Sequence, residues 1–161
     1  DAFAALCDAG EAGDWELWII GTGELEERVK ASACGSHPRI RHIGFVQAEA
    51  MPNYLEHTGV FILASTYEPW GVVVHEHAVA GFPLILSDAV GAADRFLKEG
   101  FNGTRFPAGD RNALQKALRT FVRMDDKALH RMGYASSELG RNWSPKEWAS
   151  VVMELIQEHR A

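Results

Sequence analysis

Two carboxylates, Glu68 and Glu76, end the run Glu68-Pro-Trp-Gly-Val-Val-Val-His-Glu76 and are the residues of this chain best placed to do chemistry. Upstream, Val60-Phe-Ile-Leu-Ala64 is an apolar run of strand length. Downstream, residues 72–80 have the spacing of a helix stopped by Gly81. Glu68 therefore falls in a strand-to-helix turn, and Glu76 on the second turn of the helix. The mouth of such a helix presents unpaired N–H groups and about half a positive charge, which seats a phosphate, while carboxylates at its rim accept hydrogen bonds from sugar hydroxyls. A ligand carrying both groups is a nucleotide-sugar. A plainer reading stands beside this one: acids are favoured near helix N-termini for dipole reasons alone, and Glu76 could pair with a cation across a helix interface.

The elements that must position this pair alternate along the chain. Trp15-Glu-Leu-Trp-Ile-Ile20 runs into Gly21-Thr-Gly23 and a helix expected over residues 24–33; Arg39-Ile-Arg-His-Ile43 precedes Gly44 and a helix starting near Pro52. After the strand at residues 60–64 and its helix come Pro83-Leu-Ile-Leu-Ser87, a helix over residues 92–99 with Gly100 as its stop, and Gly103-Thr-Arg-Phe106. This rhythm predicts an α/β fold with a parallel sheet and crossover helices. Asp110 should cap a helix whose Leu114, Ala117, Leu118, Phe121 and Val122 share a face, and residues 126–139 form another. Ser144-Pro-Lys-Glu147 has the form of a capping box ahead of Trp148, Val151, Val152, Leu155 and Ile156 at amphipathic spacing. The chain has no repeat, linker or low-complexity tract, which predicts one domain over residues 1–161.

Composition narrows the classes. With 161 residues the chain can bury about two thirds of its unfolded surface around one core. A formal net charge of -6 and the lack of a basic tract argue against nucleic acid or an anionic membrane as partner. Cys7 and Cys34, the 2 cysteines, have neither paired spacing nor metal-ligand neighbours, which fits a reducing, cytoplasmic setting. No apolar run reaches the ~20 residues of a membrane span.

Other constellations fail on spacing. Gly21-Thr-Gly23 would need a glycine at position 26 to complete a dinucleotide fingerprint, and that residue is Glu26. Glu24, Glu26 and Glu27 would also repel a pyrophosphate there. His75 and His77 point to opposite sides of a helix, so no metal site is expected from them, and His37, His42, His57, His130 and His159 lack ligand spacing. There is no serine nucleophile elbow and no P-loop. Of the 5 tryptophans, Trp70 alone sits in the candidate loop, where packing is an equally good account of it.

Taken in order, Leu17-Trp-Ile-Ile-Gly-Thr-Gly23, Ile43-Gly-Phe-Val46, Met51-Pro-Asn-Tyr-Leu55, residues 60–65, the Glu68 to Glu76 block, Ala80-Gly-Phe-Pro-Leu-Ile-Leu-Ser-Asp88, Val90-Gly-Ala-Ala93 and Glu99-Gly-Phe-Asn-Gly103 resemble the C-terminal, nucleotide-sugar-binding half of retaining GT-B glycosyltransferases, the group 1 family that includes sucrose synthases and bacterial mannosyl- and glucosyltransferases. The resemblance covers nearly the whole chain and is specific through order and spacing. It implies a Rossmann-like doubly wound sheet, Glu68 as the catalytic-site acid beside the donor sugar, and Glu76 as acceptor for the ribose hydroxyls. It also implies that the backbone of Trp70, Gly71, Val72 and Val73 holds the sugar and diphosphate, with Val46 against the base. Neither metal nor other cofactor is implied; the nucleotide-sugar is a substrate. Three departures stand out: His77 replaces the usual alanine, Ala92-Ala93 replaces the commoner second glycine of the sugar loop, and the strand bearing the family's diphosphate-binding Arg and Lys is expected before Asp1. Arg95, Lys98 and Arg105 are distant substitutes for those cations.

The expectation is thus the N-terminally truncated donor domain of a retaining, metal-independent glycosyltransferase acting on a glycan, lipid or small acceptor, inactive alone. Its partners are the donor and the missing N-terminal acceptor half, through which any peripheral membrane contact would be made. The alternatives are a non-catalytic nucleotide-sugar-binding module and a nucleotide-sugar epimerase of the same architecture. With strand order 3-2-1-4-5-6 and strand 1 absent, strands 2 and 4 should either close up or leave a gap about two strand spacings wide, ~10 Å.

Overall fold

A computed structural model describes residues 1–32 and 34–158. In chain order the elements are α1 (Ala2–Asp8), β1 (Leu17–Ile20), α2 (Glu26–Lys30), β2 (Ile40–Gly44), a 3₁₀ turn (Ala48–Ala50) leading into α3 (Met51–Leu55), β3 (Phe61–Leu63), α4 (Val72–Val79), β4 (Leu84–Ser87), α5 (Ala93–Phe96), β5 (Gly103–Phe106), α6 (Arg111–Val122), α7 (Asp126–Arg141) and α8 (Pro145–Glu158). All strand pairs are parallel. The expected α/β alternation is present throughout.

The strands form two separate sheets among the described residues, β1-β2 and β3-β4-β5. Closing-up, one of the two outcomes expected for a sheet without its first strand, does not occur, since β1 and β3 are not paired. A cleft of about 930 Å³ runs between β1 and β3, with Leu17 and Ile19 on one wall, Phe61 and Leu63 on the other, and Val73 and Phe121 also lining it.

Packing explains why β4 is apolar over Leu84-Ile85-Leu86, ahead of its terminal Ser87. All of its residues are buried, Ile85 facing the layer of α1 and α6 with Phe3, Leu6, Leu118 and Phe121, and Leu84 and Leu86 facing Val74, Ala78 and Phe96 on the opposite side. A parallel strand covered on both faces has no polar side to show. Leu84, Ile85 and Leu86 are each 0% exposed, and burying each such side chain contributes about 2 kcal/mol.

The predicted caps form. Asp110 accepts the Ala113 N–H at 2.9 Å to start α6; α7 has a further cap, not among those expected, in Asp125, which accepts the Ala128 N–H at 2.7 Å. Ser144 and Glu147 close the capping box of α8: the Ser144 N–H donates to Glu147 Oε2 (2.6 Å), and the Glu147 N–H to Ser144 Oγ (3.3 Å). The side chains of Trp148, Val151 and Leu155 lie outside the described residues, as does the expected helix end at Ala33.

Two helices are shorter than their patterns predict. α5 stops at Phe96 because Asn102, fully buried, takes over its end: Asn102 Nδ2 donates to the Phe96 carbonyl (2.9 Å), its Oδ1 accepts the Lys98 N–H (2.7 Å), and Leu97 turns extended. α2 begins only at Glu26, after the Glu26 N–H bonds back to the Gly23 carbonyl in a turn.

Candidate functional site

Parallel strands deliver their C-terminal loops to one edge of the fold, and the candidate residues gather there. Glu68 and Trp70 lie between β3 and α4, and the segment 88–92 follows β4. Val46, half-buried, follows β2, so it belongs to the other sheet and lies on the far side of the cleft from the acidic pair.

The acidic loop is clamped by backbone. The Glu68 N–H donates to the Ala89 carbonyl (3.3 Å), the Gly91 N–H to the Glu68 carbonyl (3.0 Å) and the Ala92 N–H to the Trp70 carbonyl (2.7 Å). Glu68 and Val90 thereby form an isolated parallel bridge beyond the end of the β3–β4 ladder. Trp70, 43% exposed, rests its ring edge-on against Phe96 with centroids 6.3 Å apart. Phe96 stacks in turn on His75 at 4.6 Å, and His75 Nε2 donates to the Gly140 carbonyl of α7 (2.9 Å).

Gly71 makes the turn into α4. Its φ of 91° is left-handed, which favours glycine, and a Cβ there would lie 3.3 Å from Glu68 Cγ. Glu68, half-buried, therefore lies over the helix entry itself. The N–H groups of Val72 and Val73 belong to the first turn and have no partner within the helix, while that of Val74 bonds to the Gly71 carbonyl at 2.9 Å. Three faces of α4 then do different things. Val72 and Glu76 sit one turn apart on its exposed side, Val74 and Ala78 are buried, and Val73 and His77 line the cleft.

The histidines are occupied by structure. His77 Nδ1 donates to the Val73 carbonyl (2.8 Å), its ring stacks on Phe61 at 3.9 Å, and burial pushes its pKa below the usual histidine value. Among the described residues no group of three or more His, Cys, Asp or Glu side chains is arranged to hold a metal ion. Ala92 and Ala93 are fully buried beneath the loop, so the departure from glycine there changes packing below the site rather than its open surface. Two of the three cations offered as substitutes are engaged as well: Arg105 pairs with Asp94 at 2.8 Å, and Arg95 stacks 4.5 Å above the Trp143 ring.

Residue-type reasoning missed Gly91, Asn102 and Ser87, whose Oγ donates to the Ser65 carbonyl. All three fall within motifs that carry the family resemblance, but residue type and spacing gave none of them a role.

Solved structures share this architecture. TarM matches 97% of the chain and 31% of its own length at a TM-score of 0.80 and 15% identity. HepE of Anabaena, in complex with UDP and glucose, matches 94% of the chain and 43% of its own at 0.72 and 19%. These likenesses define the fold as the Rossmann-like domain of a GT-B protein. In sequence, the family model described as Glycosyl transferases group 1 matches residues 1–139, and the chain belongs to that family. Among its relatives are the phosphatidyl-myo-inositol mannosyltransferase of Mycobacterium leprae, 30% identical over 145 residues, and the lipopolysaccharide core biosynthesis glycosyltransferase LpsE of Rhizobium meliloti, 30% over 108. The matches cover 89% and 66% of the chain, which spans only 37% and 31% of those relatives. No helix among the described residues is long and apolar enough to cross a membrane.

Proposed function

We propose that residues 1–161 are the donor-binding domain of a retaining glycosyltransferase that moves a sugar from a nucleotide-sugar to a glycan, lipid-linked or small acceptor. The observation that carries this reading is Glu68, half-buried over Gly71 at the mouth of α4, beside the cleft between β1 and β3, where the order 3-2-1-4-5-6 implied by the resemblance has its reversal. In doubly wound sheets, ligands bind at that switch point, outside the C-terminal ends of the strands. Glu68 accepts hydrogen bonds from the donor sugar and Glu76 from the ribose diol, while Val46 lies against the base. The backbone N–H groups of Trp70, Gly71, Val72 and Val73 face the diphosphate. As the bond from the anomeric carbon to the diphosphate breaks, negative charge grows on the departing oxygen, and the first turn of α4 stabilises it without a metal. UDP in the complex of HepE makes UDP-sugars the first donors to try.

The same reading accounts for the cleft. β1 and β3 line its two sides, and a further strand pairing in parallel with each of them would join both sheets into one. α1, packed on α6, is the crossover helix such a strand requires before β1. That strand and the acceptor half belong to chain preceding Asp1, in a cytoplasmic enzyme that meets any lipid-linked acceptor through that half.

In the full-length enzyme, thermal-shift screening against UDP-, GDP- and ADP-sugars should show selective stabilisation by one nucleotide. Glu68→Gln should then lower turnover about 100-fold or more while nucleoside diphosphate affinity is nearly kept. An affinity loss as large as the turnover loss would remove Glu68 from the sugar side of the site. Turnover should persist in EDTA; its loss, with recovery on adding Mg²⁺ or Mn²⁺, would overturn the metal-free mechanism.

A further inference from the structure

We infer that Gly91 is the positioning residue that sets where Glu68 and Trp70 stand, an inference that rests on the reading of Glu68 as the acid beside the donor sugar. The backbone of Gly91 and its neighbours makes the three bonds that hold residues 68–70: Glu68 N–H to Ala89, Gly91 N–H to Glu68, Ala92 N–H to Trp70. At Gly91 the two segments pass so closely that a Cβ would overlap the Pro69 carbonyl oxygen, lie 2.9 Å from its carbon and 3.5 Å from Trp70 Cα. Its φ is outside the left-handed region, so close approach, and not backbone conformation, is what requires glycine. The atoms in the way are backbone of the residue between Glu68 and Trp70. They have little freedom to yield, because Trp70 is backed by the fully buried Phe96. Any side chain at 91 must therefore move the Pro69 peptide, and with it the carboxylate on one side and the indole on the other.

Gly133 provides the comparison within the same fold. A Cβ at Gly133 would likewise overlap a carbonyl oxygen, that of Gly81, and lie 3.2 Å from its carbon, but this contact joins α7 to the C-terminal end of α4, opposite the mouth that carries Glu68. Gly91→Ala and Gly133→Ala impose the same kind of clash, and only the first imposes it on the acidic loop.

The test compares both variants with wild type in the full-length enzyme, at a temperature where circular dichroism shows all three folded. It measures kcat, KM for the donor and Kd for the free nucleoside diphosphate. Displacement of the reacting groups by about 1 Å lowers turnover about 100-fold. Gly91→Ala should thus lose kcat by one to two orders of magnitude with little change in diphosphate Kd, while Gly133→Ala loses melting temperature and keeps kcat. Equal kcat in the two variants would overturn the inference. If Gly91→Ala does not fold, Ala89→Gly loosens the clamp without adding bulk. It should lower kcat about 2–5-fold, the loss expected from added backbone freedom, again with diphosphate Kd unchanged; wild-type kcat in Ala89→Gly would overturn the inference. Glu68→Gln, measured alongside, separates the two levels. Wild-type turnover in Glu68→Gln overturns the site and this inference together, whereas an inactive Glu68→Gln with a fully active Gly91→Ala overturns only this inference.

Discussion

The sheet β3-β4-β5 and the pair β1-β2 were built by the same rules and differ in what holds them. β4 is buried on both faces, and the loops at its C-terminal edge are tied to one another by backbone hydrogen bonds and by the Trp70–Phe96–His75 chain of rings. In β1 every residue is half-buried, and one of the contacts across the pair is the Arg41–Glu16 ion pair at 2.8 Å between two largely solvated side chains. The difference maps onto the proposed ligand. The groups assigned to sugar, diphosphate and ribose all come from the packed sheet, and only Val46, assigned to the base, comes from the looser pair. On the proposed assignments, the reacting end of the donor is expected to be held more firmly than the base end, although β3 itself is half-buried like β1.

The largest effect should come from breaking the packed half at its one fully buried amide. Asn102→Ala would strand the Phe96 carbonyl, the Lys98 N–H and Ser136 Oγ, all of which now bond to its side chain. Leaving buried polar groups unpaired should cost about 2–4 kcal/mol in urea unfolding. Arg41→Ala, which deletes the exposed pair of the other half, should cost about 0.5 kcal/mol or less. Similar losses in the two variants would dissolve the contrast between the halves.

Binding should show the same asymmetry at smaller scale. Glu76→Ala removes a charged acceptor from the exposed face of α4 and should weaken nucleotide-sugar binding by about 1.5–3 kcal/mol. Val46→Ala trims half-buried apolar contact and should weaken it by about 1 kcal/mol or less. Calorimetric titration of both variants with the preferred donor checks the ranking. If Val46→Ala is the worse binder, the base end is the anchored one and the two halves have been assigned the wrong way round.

Most of the fold was legible because its signals are local: short apolar runs bounded by glycine, Asp110 and the Ser144–Glu147 box each announce an element with no need of a partner. The helix ends at Phe96 and Glu26 were not, since Asn102 and the turn at Gly23 act only once the chain has folded back. Glu68 and Glu76 were legible as types at a spacing. That one lies over Gly71 and the other on an open helix face depends on a positive φ, which a glycine permits and does not demand. Gly91 was visible as part of the Val90-Gly-Ala-Ala93 motif, but its role was illegible for a stronger reason, because its requirement comes from a carbonyl on another loop. The separation of the two sheets lay beyond residue patterns too, as strand pairing is a long-range choice, and the strand order implied by the family resemblance left closure and a gap both open.

The smallest expected effect tests the wall of the cleft itself. His77 reaches the cleft from the packed half, stacked on Phe61 and donating to the Val73 carbonyl, and burial outweighs both that hydrogen bond and the nearby Glu76 carboxylate in setting its pKa below the usual value near 6.5. The unfolded chain therefore binds this proton more readily than the folded one. The contribution of neutral His77 is complete above the unfolded pKa and is lost as pH falls below about 6.5 toward the lowered folded value, at no more than about 1.4 kcal/mol per pH unit. Urea midpoints across this window should fall more steeply for wild type than for His77→Phe, which keeps a ring on Phe61 and has nothing to protonate. Parallel profiles would mean that water reaches His77 as freely in the folded chain as in the unfolded one. The cleft would then be an open trough, and the packed sheet would lose its firmness at β3. A steeper wild-type profile in the longer protein than in residues 1–161 would show the opposite, that chain lying in the cleft completes the burial of His77.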